Sequence, residues 1–98
     1  VNAIRKAWVL APERSQIPFA LGVAYYAQSE YRKSIGSYLA VLRMDPDHVS
    51  AHMNLAQLYG LVSDNSRKQQ HFERVLSLDP SHPQRGEIED WLGWYSNQ

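Results

Sequence analysis

The amino-acid sequence predicts an all-α chain assembled from repeated pairs of antiparallel helices. Pro12, Pro46 and Pro80 stand at equal intervals of 34 residues. The residues between them keep the same register: Leu21 matches Leu55, Gly22 matches Ala56, Tyr25 matches Tyr59, Tyr38 matches Phe72 and Val41 matches Val75. Within each period apolar residues return every three or four positions, and no alternating apolar run of strand type stands out.

The elements follow in order. Residues 1–12 end in a proline as each full period does, with Ile4 and Ala7 at the places of Tyr38 and Val41. They read as the tail helix of a preceding repeat, and a chain that starts without Met is expected to be part of something longer. The first full period, 13–46, opens with a helix through Phe19, Leu21, Ala24, Tyr25 and Gln28. Pro18 falls in its first turn, where a missing N–H is harmless. Ser29 is the expected N-cap of the next helix, through Tyr31, Ile35, Tyr38, Leu39 and Leu42. That helix closes at Asp45-Pro46, because the residue before proline is pushed out of helical geometry.

The second period, 47–80, repeats the pattern with Leu55, Leu58, Tyr59 and Val62, then Phe72, Val75, Leu76 and Leu78, and closes at Asp79-Pro80. Residues 81–98 stop imitating the repeat: Glu89, Asp90 and Gly93 stand where Leu, a small residue and Tyr would recur. They read as a C-terminal capping helix, with Ser81 and Gln84 as a capping box and one apolar stripe of Ile88, Trp91, Leu92 and Tyr95. The expected total is about six helices in a single domain.

Composition narrows the function. The 98 residues are 44% hydrophobic and 20% charged, and ten Lys and Arg cancel ten Asp and Glu. A neutral total argues against nucleic-acid binding, which needs a basic excess to neutralise phosphates. No apolar run approaches the roughly 20 residues that span a bilayer, so direct membrane insertion is not expected. The sequence has no cysteine, which excludes disulfides, thiolate nucleophiles and Cys-based zinc sites and leaves the compartment open. The neutrality is uneven. Residues 1–44 carry six basic and two acidic side chains, and residues 45–98 carry four basic and eight acidic ones.

The 34-residue period, the run Leu21-Gly22-Val23-Ala24-Tyr25, the late aromatic and the closing proline resemble the tetratricopeptide repeat. The resemblance covers 13–80 as two full repeats and implies a right-handed α-solenoid of stacked helix pairs. Two departures stand out. The early Trp of the family is replaced by Pro18 and His52. The small residue that lets paired helices cross closely is Ser34 in one repeat and Lys68 in the other, which implies looser packing or a small helix shift there.

The resemblance also implies a function: a non-catalytic protein–protein interaction module, expected to be part of a larger scaffold or assembly protein. The first helix of each pair would line a concave groove for a partner peptide or helix. By register the lining is Gln16, Phe19, Val23, Tyr26 and Ala27 from one repeat, and Ser50, Met53, Asn54, Gln57 and Leu61 from the next. Phe19, Tyr26 and Met53 read equally well as packing between neighbouring helices, whereas Tyr25, Tyr59, Tyr38 and Phe72 read as core. One branch of the family grips terminal carboxylates with Lys, Arg and Asn. Asn54 holds one such place, but Phe19, Val23, Gln84 and Ile88 stand where the others belong, so a carboxylate clamp is not expected.

No constellation of an enzyme emerges, and no cofactor is expected. Gly22 and Gly36 are isolated within helices and make no phosphate-cradling loop. Glu87, Glu89 and Asp90 read as a solvated face. His48 and His52 have the i, i+4 spacing of a helical metal pair but lack further ligands, so a structural or surface role is expected and no metal site is assigned. The alternative function is self-association into homo-oligomers through the helical ends. There Trp8 and Trp94 are the candidate interface residues, and the unlike charge of the two halves would draw copies head to tail.

Overall fold

The computed structural model describes residues 12–98. A short 3-10 turn, Pro12–Ser15, leads into five α-helices: α1 (Gln16–Ala27), α2 (Tyr31–Met44), α3 (Val49–Leu61), α4 (Asn65–Leu78) and α5 (Arg85–Ser96). Each helix packs against its neighbour in sequence, so the described residues form a one-dimensional stack of two helix pairs and a final helix. The tail helix expected over 1–12, with Trp8, lies outside the described residues apart from the proline that opens the 3-10 turn.

The turns between paired helices are built alike. After α1, Glu30 N–H donates to the Tyr25 carbonyl and Ser29 N–H to that of Tyr26. After α3, Asp64 N–H donates to Tyr59 and Ser63 N–H to Gly60. This is the Schellman closure, and it needs a left-handed residue just past the helix. Ser29 and Ser63 supply it at φ 60° and 63°. Ser29 therefore ends α1 rather than capping α2, whose N-cap Glu30 makes no side-chain hydrogen bond. In the second pair Asp64 does cap, accepting from the Arg67 N–H at 3.2 Å and pairing with its guanidinium at 2.6 Å. Those contacts hold the Asp64 carboxyl below its ordinary range.

Between pairs the prolines act as expected: α2 and α4 stop at Met44 and Leu78, before Asp45-Pro46 and Asp79-Pro80. The residues two past these prolines, His48 and His82, satisfy backbone donors. His48 Nδ1 accepts from Ala51 N–H at 3.1 Å and His82 Nδ1 from Gln84 N–H at 3.0 Å. The Ser81–Gln84 capping box does not form. The last helix begins only at Arg85, and the Ser81 hydroxyl turns back to Asp79.

Two apolar clusters hold the stack. The first joins Ile35, Tyr38 and Val41 of α2 to Ala51, Leu55, Leu58 and Tyr59 of α3, with Phe19 packed against it. The second joins Met53 and Ala56 of α3 to Phe72 and Val75 of α4 and Ile88 of α5. Helix α3 feeds both, which explains why seven of its residues are buried. The close crossing in the first pair depends on small residues. Ser34, fully buried, donates its hydroxyl to the Gly22 carbonyl at 2.6 Å. In the second pair Lys68 fits because α3 carries Gly60 opposite it, and its Nζ lies 5.3 Å from the Phe72 ring and 5.0 Å from that of Trp91. Ala56 and Val75 of the same pair remain fully buried, so the lysine opens no gap beside them. Burial presses its ammonium below the ordinary lysine range.

Candidate functional site

Helices α1 and α3 stand side by side as the first members of their pairs, and the trough between them has α2 as its floor. A cavity of about 230 Å³ opens there, lined by Val23 and Tyr26 of α1, Tyr38 of α2, and Asn54, Gln57 and Leu58 of α3. Val23 and Tyr26 lie three residues apart, as do Asn54 and Gln57, so each pair falls on one helix face. Val23 and Tyr26 are about half exposed.

The polar groups of this trough are uncharged. Asn54 Nδ2 donates to the Tyr38 hydroxyl at 3.2 Å. Burial raises the Tyr38 hydroxyl above its ordinary pKa more than the Asn54 bond lowers it, so it stays protonated at neutral pH. The Tyr38 O–H then remains free to donate and the Asn54 Oδ1 to accept, with the Gln57 amide one turn away. Apolar Val23, Leu58 and the Tyr26 ring flank them. Such a site can pair with a backbone amide and shelter an apolar side chain.

The ten residues assigned to the groove by register separate into groups, with Ala27 exposed at the last position of α1, outside the cavity. Val23, Tyr26, Asn54 and Gln57 line the cavity. Phe19 is partly buried in packing, edge-on to Tyr38 at 5.2 Å and stacked on His48 at 5.2 Å. Met53 is 7% exposed and belongs to the second core cluster, because α4 and α5 close over that face of α3. Gln16 faces a different surface, with Ile17, Ala20 and Leu21. Ser50 and Leu61 are exposed near opposite ends of α3, outside the cavity. Tyr38 and Leu58 were not expected in the lining. Their helix positions mark them as core, and only the outer edge of each reaches the trough.

The histidines are arranged otherwise than their sequence spacing suggests. His48 and His52 do not converge; His52 instead meets His71 of α4, Nδ1 to Nδ1 at 2.9 Å. The ring centroids are 5.2 Å apart. That exceeds the nitrogen separation by the two ring radii, so the nitrogens lie on the line between the rings. This is a head-on hydrogen bond, whereas two ligands of one tetrahedral metal would converge at an angle. Among the described residues no three His, Asp or Glu are grouped as metal ligands, and no helix is long and apolar enough to cross a membrane.

At the two ends of the described stack, α1 exposes Ile17 at 45% and Leu21 at 48%, and α5 exposes Trp94 at 54%. The positions matching Ile17 and Leu21 in the second repeat, Ala51 and Leu55, are fully buried against α2.

Comparison with known proteins adds what the chain is similar to. Residues 19–62 match the family model of the TPR repeat. The chain is 31% identical over 78 residues to the N-terminal acetyltransferase A complex auxiliary subunit NAA15 of Arabidopsis thaliana, covering 80% of this chain and 8% of that protein. It is 28% identical over 85 residues to the chloroplastic tetratricopeptide repeat domain-containing protein PYG7 of the same plant, covering 83% of this chain and 28% of that protein. The chain thus spans less than a third of the length of either relative.

Proposed function

We propose that this chain, which carries tetratricopeptide-repeat sequence, is a non-catalytic interaction module that takes an uncharged peptide segment into the trough between α1 and α3. Tetratricopeptide repeats mediate protein–protein interaction, and the finer assignment rests on one observation. Two helix faces and the Tyr38 hydroxyl bring apolar surface and unspent neutral hydrogen-bonding groups to one open cavity. Apolar anchors beside amide-matching polar groups are what a peptide backbone with one apolar side chain requires. No lysine or arginine lines the cavity, so a partner's carboxylate finds no counter-charge there. A relative named as an auxiliary subunit of an enzyme complex is in keeping with a role as part of a scaffold or assembly protein.

The test uses peptides selected from a random displayed library against the immobilised chain. Tyr26→Asp combined with Asn54→Ala is expected to weaken the selected peptides by about tenfold or more, through loss of an aromatic anchor and of a part-buried hydrogen-bonding amide. Ser50→Ala, outside the cavity, is expected to leave them unchanged. Peptides that bind the double variant as well as the parent chain would remove the groove from the reading.

A second reading, self-association through the ends, is favoured by the exposed strip of Ile17 and Leu21 at one end and Trp94 at the other. The occupant of the strip would be the last helix of a second copy. The excess of basic residues in 1–44 and of acidic residues in 45–98 gives head-to-tail contact its charge complementarity. Sedimentation should then show association that weakens with added salt and is abolished by Leu21→Glu. A strict monomer at high concentration and low salt would exclude it.

A further inference from the structure

The second helix pair contains a group that the groove does not use: the imidazoles of His52 and His71, held head-on between α3 and α4. Their protonation can be read from their partners. His52 Nε2 lies 2.8 Å from the Pro46 carbonyl, and a carbonyl only accepts, so this nitrogen carries the proton. In the neutral ring Nδ1 is then a bare acceptor, and His71 Nδ1–H must be the donor across the 2.9 Å contact. The His71 ring also stacks on Tyr59, at 5.5 Å and 12° between planes. One chain of contacts thus ties the turn before α3, α3 itself and α4. The matching positions of the first pair are Pro18 and Ser37, so that pair has no equivalent.

We propose that the His52–His71 pair is an acid-sensitive latch that fixes α3 against α4 while both rings are neutral and loosens the pair when they take up protons. The first added proton belongs to the pair: whichever ring carries it, one N–H still bridges the two Nδ1 atoms, but a charge now sits in poorly hydrated rings. The second leaves a hydrogen on both Nδ1 atoms and sets two N–H groups against each other, which breaks the contact. The charged and titratable neighbours do not offset this. From the turn before α3 come Asp47 and His48, and from α4 comes Arg74. The Asp47 carboxylate favours His52 protonation but is engaged by Arg74 at 3.0 Å, while Arg74 and His48 both oppose it. On α3, Tyr59 is neutral, burial raising its hydroxyl above the ordinary range, and Arg67 of α4 lies over its ring at 5.9 Å.

Burial, followed by repulsion from His52, lowers His71 to about 4, and burial also lowers His52. A histidine with a depressed folded pKa leaves stability complete above its unfolded value. That stability is then lost as pH falls from about 6.5 toward the folded value. From His71 alone, the folding equilibrium constant should drop roughly 30-fold between about pH 7.5 and about pH 5.

The experiment compares urea unfolding at those two pH values for the parent chain and for His71→Asn. Asparagine keeps an N–H donor near the place of Nδ1 and does not titrate. The variant is expected to lose no more than about threefold over the same interval, and carboxylate effects, common to both proteins, cancel in the comparison. Equal losses in the two proteins would overturn the latch. If the variant folds poorly, NMR titration of the parent's imidazoles decides: a His71 midpoint below about 5 supports the proposal, and one at or above about 6.5 overturns it.

Discussion

Valine in place of Gly22 is expected to destabilise the chain by about 3 kcal/mol, at the upper end for overpacking in a filled core. A Cβ at this position would lie 2.7, 2.8 and 2.9 Å from Cζ, Cε2 and Cε1 of Tyr38. The ring cannot give way. It is 3% exposed, Phe19 packs on it edge-on, and Asn54 is bonded to its hydroxyl. The helix backbone is held as well, since the Gly22 carbonyl accepts the buried Ser34 hydroxyl. Relief must come from separating α1 and α2, which also withdraws Tyr38 from the trough. Gly36 supplies the control. Nothing lies within 4 Å of a Cβ there, so Gly36→Ala should stabilise by about 0.7 kcal/mol through helix propensity alone. Urea midpoints moving in opposite directions would bear out the close crossing at Gly22; a Gly22→Val chain as stable as the parent would contradict it.

Ile88→Ala is expected to cost about 3 kcal/mol, in the range for deleting a fully buried aliphatic side chain. Ile88 is the one buried residue of α5, at 0% exposure, and it inserts among Met53, Ala56, Phe72 and Val75. The other contacts of α5 are partial. Trp91 meets Phe72 at 5.6 Å and lies beneath the Lys68 ammonium, and Tyr95 stacks on Trp91 at 4.9 Å. Truncation should therefore free α5 before the rest of the stack unfolds. Amide exchange would rise across Arg85–Ser96 ahead of α2 and α3, with a matching change in tryptophan fluorescence. Exchange rising uniformly across all five helices would show that the last helix is not separately anchored.

The order and limits of the helices were legible because a 34-residue period repeats its own punctuation. The prolines end α2 and α4 where expected, and Tyr38, Tyr59 and Phe72 are buried as expected, whereas Tyr25 is only partly buried and belongs to neither cluster. The turns were less legible. Ser29 reads as an N-cap because serine favours that place, yet the three-residue connection needs a left-handed residue that glycine more often provides. The Ser81–Gln84 motif misleads in the same way, since His82 takes over the backbone donor beside it. For the groove, register located Val23, Tyr26, Asn54 and Gln57 but could not separate Met53 from them. What buries Met53 is the later helices α4 and α5, which the spacing within α3 does not encode. His71 left no signal at all: its partner is 19 residues away on another helix, and the first repeat carries serine in its place.

Helix α3 is covered on one side by α2 and on the other by α4 and α5, and this has a kinetic consequence. Every packed interface in the stack joins elements close in sequence, so little loop entropy opposes their formation and the chain should fold quickly for its length. Nucleation is expected around α3, where each neighbouring helix adds a buried face as it docks. In reverse, opening would start at α1 and α5 and reach α3 last, making its amides the slowest to exchange.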